Sequence, residues 1–296
     1  MAINYAKKNS GLFDQKLTQE TLTSLIETPN VNWTGAKSFE VTTLSTTGFK
    51  NHSRSKGFNS GSYTNDKETY TLGFDRDIEF YVDTMDVDET DQDLAAAKIS
   101  NTFITEEAGP EVDAYRFSKM ATEAISNKKT DSEILTVDNV YSKLKAAILP
   151  IRKYKPQNII TYVSSETMDL LERSKEFNRN ITNQNVGVTT LESRVTSIDG
   201  VTLVEVWDTE RFATKFDFTE GFVKADDGLD INFLVVAKPA VIAKAKHNAV
   251  FLFAPGDHTN GDGYLYQNRL YHDLFVLKQQ KDGLYVSTKP AATQEG

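Results

Sequence analysis

The feature that most limits what this chain can become is a run of strict alternation. Tyr70, Leu72, Phe74, Ile78, Phe80 and Val82 share one parity, while Thr71, Asp75, Asp77, Glu79 and Asp83 take the other. Only Arg76 interrupts the apolar face. A period of two marks a β-strand with one buried side. Sustained over roughly 15 residues, it makes a strand about 50 Å long, where the mean strand has about 5–6 residues. A strand of that length overruns its own domain.

The segment ahead of it, Phe39–Phe49, is rich in Val and Thr, which suits a strand but hardly a core. The two are joined by a polar, basic stretch full of turn residues, Lys50–Ser62. Together they read as an extended hairpin. An isolated two-stranded ribbon is marginal in water, so the overhang is expected to lie on another subunit; an ordinary hairpin with a loose loop is the simpler alternative. The tip is basic (Lys50, Arg54 and Lys56, with Lys67 on the returning strand). A later stretch is acidic (Asp83, Asp86, Asp88, Glu89, Asp91 and Asp93) and contains no Lys or Arg. Opposite charges on two such features suit contact between neighbouring copies. Lys50, Arg54, Lys56, Lys67, Asp86, Asp88, Glu89, Asp91 and Asp93 are therefore candidate subunit-interface residues, against a merely solvated loop.

Residues 1–32 form a thinly apolar arm that is expected to need a partner surface; Asp14–Glu27 suits a helix stopped by Pro29 and Asn30. A long helical pattern starts near Asp91 and resumes after Gly109-Pro110, where the proline predicts a bend. Between Asp131 and Lys246 helix and strand patterns alternate. Val137–Ile151 and Glu166–Ser174 read as helices, the second capped by Ser164/Ser165. Asn158–Val163, Val201–Val206 and Ile231–Ala237 read as strands, Phe177–Ile198 as a polar loop, and Ala240–Lys246 as strand or short helix. Tyr264–Lys278 is a second overlong strand, and a Lys281-Asp-Gly283 turn sends the chain back through Leu284–Ser287. The fold class is α+β.

Composition removes several functions. The 296-residue chain has no cysteine, which excludes disulfides, thiolate metal sites and a cysteine nucleophile. Its net charge of -9 argues against a protein whose main task is gripping nucleic acid. No secretory signal opens it, and no apolar run approaches the ~18 residues that a membrane span needs. The four histidines, at 52, 247, 258 and 272, show no paired helical spacing. Asp257-His258, Asp262 and His272-Asp273 fit no metal-ligand scheme, and the run from Asp86 lacks the Gly and the closing carboxylate of a calcium loop. Ser53-Arg-Ser-Lys56 matches the S-x-x-K pattern but sits among turn residues, not at a helix start. Lys238, Lys244, Lys246 and His247 are read as surface lysines rather than a nucleic-acid site. No enzyme and no cofactor is expected.

The order of parts resembles the major capsid proteins of tailed bacteriophages, most like those from phages of Gram-positive hosts. Gly109–Lys119, Ile231–His247, Arg269–Lys278 and Asp282–Val286 carry that resemblance, which runs over roughly residues 33–288. It implies an N-terminal arm (1–32), an extended loop (37–76), a peripheral domain with a spine helix (77–128), and an α/β axial domain (129–262). A long peripheral strand (263–282) and a closing strand with a tail (283–296) complete it. It further implies pentamers and hexamers that build an icosahedral shell around double-stranded DNA, with a portal. A separate scaffolding protein is implied because the hairpin begins within the first forty residues. The location implied is the virion, after synthesis in the bacterial host cytoplasm. No Lys–Asn cross-link is expected. An encapsulin-like compartment shell is the alternative, and a metal-dependent α+β enzyme a more distant one.

Overall fold

The computed structural model describes residues 21–29, 31–52, 54, 57–89, 96–175 and 197–291, without the side chains of 87–89, 96 and 97. Strand β1 (Ser38–Thr46) pairs antiparallel with β2 (Tyr63–Thr71), from Ser38 opposite Thr71 to Thr46 opposite Tyr63. At ~3.4 Å per residue this ribbon is about 30 Å long, and no further described strand joins it. Only its root is packed. Phe39 stacks on Tyr70 and meets Phe275 and Trp33 edge-on, with ring centroids 5.6–5.7 Å apart.

The single long strand expected through Val82 is two strands in two sheets. The ladder of β2 stops at Thr71, and β3 (Phe74–Val82) then pairs with a later strand. The hinge between them is tied down by the rest of the chain. Leu72 N–H donates to Lys37 O (2.9 Å), Tyr271 Oη donates to Leu72 O (2.8 Å), and Gly73 N–H donates to the Asp273 carboxylate (2.9 Å). Two linking residues preserve parity, so the alternation runs on across a change of partner.

Helix α1 (Thr84–Glu89) and α2 (Ala96–Phe103) follow; a π-helical turn over Ile104–Ala108 then runs directly into α3 (Gly109–Ser126). The interruption expected at Pro110 takes the form of that π turn. A proline ring crowds the carbonyl four residues back. Widening the preceding turn, so that Gly109 N–H reaches Ile104 O, keeps the helix continuous. Ala114, Phe117, Met120, Ala121 and Ala124 form the buried face of α3.

The α/β region opens with β4 (Thr130–Ser132) and α4 (Val140–Ile148), then β5 (Ile159–Ser164) and α5 (Ser165–Arg173), whose N-terminus Ser164 caps by accepting from Thr167 N–H. Next come β6 (Ser197–Ile198), β7 (Val201–Val206), the small pair β8 (Phe216–Asp217) and β9 (Val223–Lys224), and β10 (Ile231–Ala237). The region expected as a loop, 177–198, lies outside the described residues up to 196. Strand β11 (Val241–Phe253) settles the choice left open at Ala240–Lys246, and β12 (Tyr264–Val276) and β13 (Leu284–Thr288) close the chain.

Two sheets result. One is six-stranded, ordered β4-β13-β10-β5-β7-β6; the other is β11-β12-β3. In the larger sheet every residue of β5 and β10 is buried, because helices cover both faces. Ile159, Val163, Phe233 and Val235 face α4 and α5, whereas Ile160, Tyr162, Leu234 and Val236 face α3. The expectation that the chain doubles back beside β12 after Gly283 is corrected: β13 pairs with β10 and β4 instead. The turn passes so close to Ala240 that a Cβ on residue 283 would come within 2.5 Å of Ala240 Cβ, so glycine is required there.

Part of the arm also differs from expectation. Residues 22–26 form a 3-10 turn rather than an α-helix, and they dock on the subunit's own body. The buried Asp113 carboxylate of α3 accepts from Leu22 N–H (2.8 Å), Thr23 N–H (3.0 Å), Thr23 Oγ1 (2.6 Å) and Arg211 Nη1 (3.2 Å). Thr28 N–H then donates to Ala243 O on β11 (2.9 Å). Removing one partner of a buried ion pair costs about 3–5 kcal/mol. Asp113→Asn is expected at about 3 kcal/mol, the low end, because Arg211 keeps Asp208. Urea unfolding would show the loss, and limited proteolysis would show earlier cleavage before residue 28.

Candidate self-association surface

The hairpin carries the three most exposed of the large apolar side chains among the described residues, Phe49, Phe58 and Tyr63. Leu44 is 66% exposed, Tyr63 76%, Phe58 99% and Phe49 111%, all on the ribbon or its tip. The tip still holds a shape. Thr47 N–H donates to Ser62 O (3.0 Å), Asn59 Nδ2 to Asn51 O (2.8 Å) and Lys50 Nζ to Ser60 O (3.1 Å). A monomer gains nothing from presenting aromatic rings to water on an ordered projection, and clustered exposed apolar groups mark interaction sites.

The nine candidate residues are only partly placed. Lys50 and Arg54 project at the tip without an ion pair to any described residue, and Lys67 pairs with Glu40 across the hairpin at 3.5 Å. Lys56, Asp91 and Asp93, and the side chains of Asp88 and Glu89, lie outside what is described. Asp86 is partnered. Within one copy, no described ion pair joins the tip to the acidic stretch.

A second acidic row was present in the sequence only as the polar parity of the long alternation. Asp75, Asp77 and Glu79 all face solvent on β3. Arg269 holds Asp75 through two hydrogen bonds (3.0 and 2.6 Å), which keep its carboxyl below the usual range, and Gln267 donates to Glu79 (2.6 Å). Beside the row, β11 exposes Val250, Phe251 and Leu252. Of these groups, Asp77, Glu79, Phe251, Gln267 and Arg269 line a shallow groove of about 340 Å³. The row could be found from parity alone, but nothing in the sequence brings Phe251 beside it.

On the other side of this sheet, the lone break in the apolar face has a partner. Arg76 donates to Glu111 of α3 (2.7 Å) and to Phe218 O (2.7 Å). Behind it, between sheet and helix, lies a cavity of about 340 Å³ walled by Ile78, Phe80, Phe103, Val112 and Leu270, with His272 at its inner wall. His272 packs against Phe74 and Tyr115, and neither ring nitrogen has a hydrogen-bond partner. Burial, helped by the nearby Arg116 charge, pushes it down to about 3. Asp273 instead accepts from Tyr115 Oη (2.8 Å) and Gly73 N–H, so this neighbouring pair is structural. His258 is held in its turn by Gly263 O (2.8 Å) and Asn260 N–H (3.2 Å). Among the described residues no three metal-ligating side chains come together. Of the basic cluster near 240, Lys244 donates to Pro29 O (3.0 Å) and Lys246 lies over the Trp33 ring (3.9 Å), both fastening the arm and hairpin root.

The likeness to solved structures is to phage heads. The mature capsid of bacteriophage PhiM1 matches with a TM-score of 0.69 at 14% identity, over 97% of this chain and 93% of the other. The capsid of cyanophage P-SCSP1u matches at 0.67 and 12%, over 97% and 93%. A structure from Microbacterium phage Oxtober96 matches at 0.65 and 11%, over 96% of both chains. The chain has a phage capsid fold. No protein-family model and no curated protein matches its sequence.

His272 gives the capsid fold an acid sensitivity that can be measured. Between the ordinary pKa of 6.5 and about 3, the unfolded chain binds a proton that the folded chain refuses. Stability is thus unaffected by this group above pH 6.5 and falls as pH drops below it. By pH 5 the loss is about 2 kcal/mol. Urea midpoints at pH 7 and pH 5 should differ less for His272→Phe than for the parent; an unchanged difference would refute the assignment.

Proposed function

We propose that this protein is the major capsid protein of a tailed bacteriophage. It self-assembles as pentamers and hexamers into an icosahedral shell that encloses double-stranded DNA. The observation that carries the reading is the projecting hairpin whose outer aromatic groups, Phe49, Phe58 and Tyr63, stand exposed among the described residues. The fold supports it, because solved proteins with this architecture are phage capsids.

In this reading the regions take the roles of arm (1–32), extended loop (37–76), peripheral domain (77–128, with the long strand in 263–282), axial domain (129–262), and closing strand and tail (283–296). The hairpin reaches a neighbouring copy, and its basic tip meets carboxylates there. The acidic stretch holding Asp86, Asp88, Glu89, Asp91 and Asp93 and the row Asp75–Glu79 are the two candidate partners. Assembly uses a separate scaffolding protein and a portal, and the shell is part of a virion built in the host cytoplasm. The stretches resembling capsids of phages of Gram-positive hosts support a host of that class. A negative chain suits the role, since tight phosphate neutralisation would hinder packaging and release of DNA. Its chemistry is association, not turnover of a substrate.

The purified chain is expected to form capsomers or shells on sizing columns, with rings of five or six in negative-stain images. A monomer under every assembly condition would overturn the reading. Deleting residues 50–62 should leave circular dichroism and thermal unfolding nearly unchanged while closed shells disappear. Reversing charge at Arg54 and Lys56 should slow assembly, followed by light scattering, more at low salt than at high salt, because exposed charges are screened within about 10 Å at 0.1 M. Equal slowing at all salt concentrations would remove an acidic partner from the mechanism.

A further inference from the structure

Three unfavourable features meet at the cavity between β3, β12 and α3. The first is unfilled space. Ile78, Phe80, Phe103, Val112 and Leu270 wall about 340 Å³ with apolar groups, and side chains facing a void lose the contacts that close packing supplies.

The second is an imidazole without a partner. His272, on the inner wall, is only 1% exposed, and neither of its ring nitrogens is hydrogen-bonded. Phe74 and Tyr115 pack edge-on against its ring, and the nearby charge is that of Arg116. The adjacent Asp273 is engaged by Tyr115 and Gly73 instead. A neutral imidazole has one N–H to donate and one lone pair to accept with, and leaving both unused in a dry site is costly.

The third is like charge. Glu107 on the π turn and Glu220 in the β8–β9 turn are exposed residues of the same cavity, and neither makes an ion pair with a described residue. Glu111, also on its wall, is bound by Arg76 (2.7 Å). Burial raises the Glu111 carboxyl against the pull of Arg76, and the Glu107 charge adds to that rise. Three carboxylates thus share one guanidinium.

We propose that this cavity is a binding site for a small amphipathic amine with an aromatic body. The ammonium lies at the rim with Glu107 and Glu220, the ring fills the apolar interior, and a hydroxyl at the far end hydrogen-bonds His272. One ligand of this class relieves all three features together. An anion is repelled at the rim, and a purely apolar molecule leaves His272 unpaired. Phe80 and Phe103 already meet edge-on (5.6 Å), the geometry in which aromatic walls receive a further ring. The volume is at the lower end of the ~300–1,000 Å³ of small-ligand sites, which limits the ligand to one ring and a short chain. The site lies within one subunit, so the inference goes beyond the capsid reading and does not depend on it.

Tyramine carries all three groups and is the probe. Phenethylamine lacks the hydroxyl, and para-hydroxyphenylpropionate replaces the ammonium by a carboxylate. Calorimetric titration of the full chain is expected to show saturable tyramine binding. Phenethylamine should bind about three- to tenfold more weakly, for one lost hydrogen bond, and the propionate should not bind. Glu107→Gln with Glu220→Gln, both at exposed positions, should weaken tyramine about fivefold at low salt and less at high salt. In His272→Phe, tyramine and phenethylamine should bind alike. The proposal is overturned if tyramine does not bind saturably, if the propionate binds as well, or if His272→Phe keeps the preference for tyramine. Should His272→Phe not fold, the Gln pair decides: unchanged tyramine affinity at low salt refutes the site. Binding to free subunits that disappears in assembled shells would assign the cavity to a second copy and also overturn the amine, leaving the capsid reading intact.

Discussion

One buried carboxylate holds the subunit together. Asp113 lies on the inner face of α3, fully buried, and is shared by the arm and by Arg211 beyond β7. A charge in that position is costly unless every lone pair is used. Here two backbone N–H groups, one hydroxyl and one guanidinium use them. The consequence is geometric: arm, helix and six-stranded sheet meet in one arrangement. Arg116, one turn along, reaches Thr23 O and Oγ1 (3.4 and 3.3 Å) and adds a second tie to the arm.

That rigid body carries an appendage that it does not cover. The hairpin is packed only around Phe39, Leu72 and Tyr271, and beyond this cluster both faces of the ribbon meet water. Main-chain pairing alone gives a ribbon little net stability. Association with further copies, as proposed above, is a physical route by which such a projection would gain buried area.

Much of this was legible in the residues. Alternation marked β3 and the polar row on its outer face; the apolar runs at 159–163, 201–206 and 231–237 marked the central strands; and Ser164 marked the start of α5. The misreadings share a cause. Periodicity reports which way side chains point, not which strand lies alongside, so Tyr70 and Phe74 looked continuous although Leu72–Gly73 carries the chain from one sheet to another. The turn at Gly283 looked like a hairpin for the same reason. Arg76 appeared as a flaw in an apolar face because Glu111, 35 residues away, is invisible to local pattern.

The sequence by itself determined the class of fold, the over-extended hairpin and the sign of its tip, because strand parity, turn residues and charge are local properties of the chain. Tertiary structure alone decided where β13 pairs, how the arm is anchored at Asp113 and why His272 stays neutral. Those outcomes depend on long-range burial and on which groups are left without water, and a linear order of residues does not encode either until the chain has closed on itself.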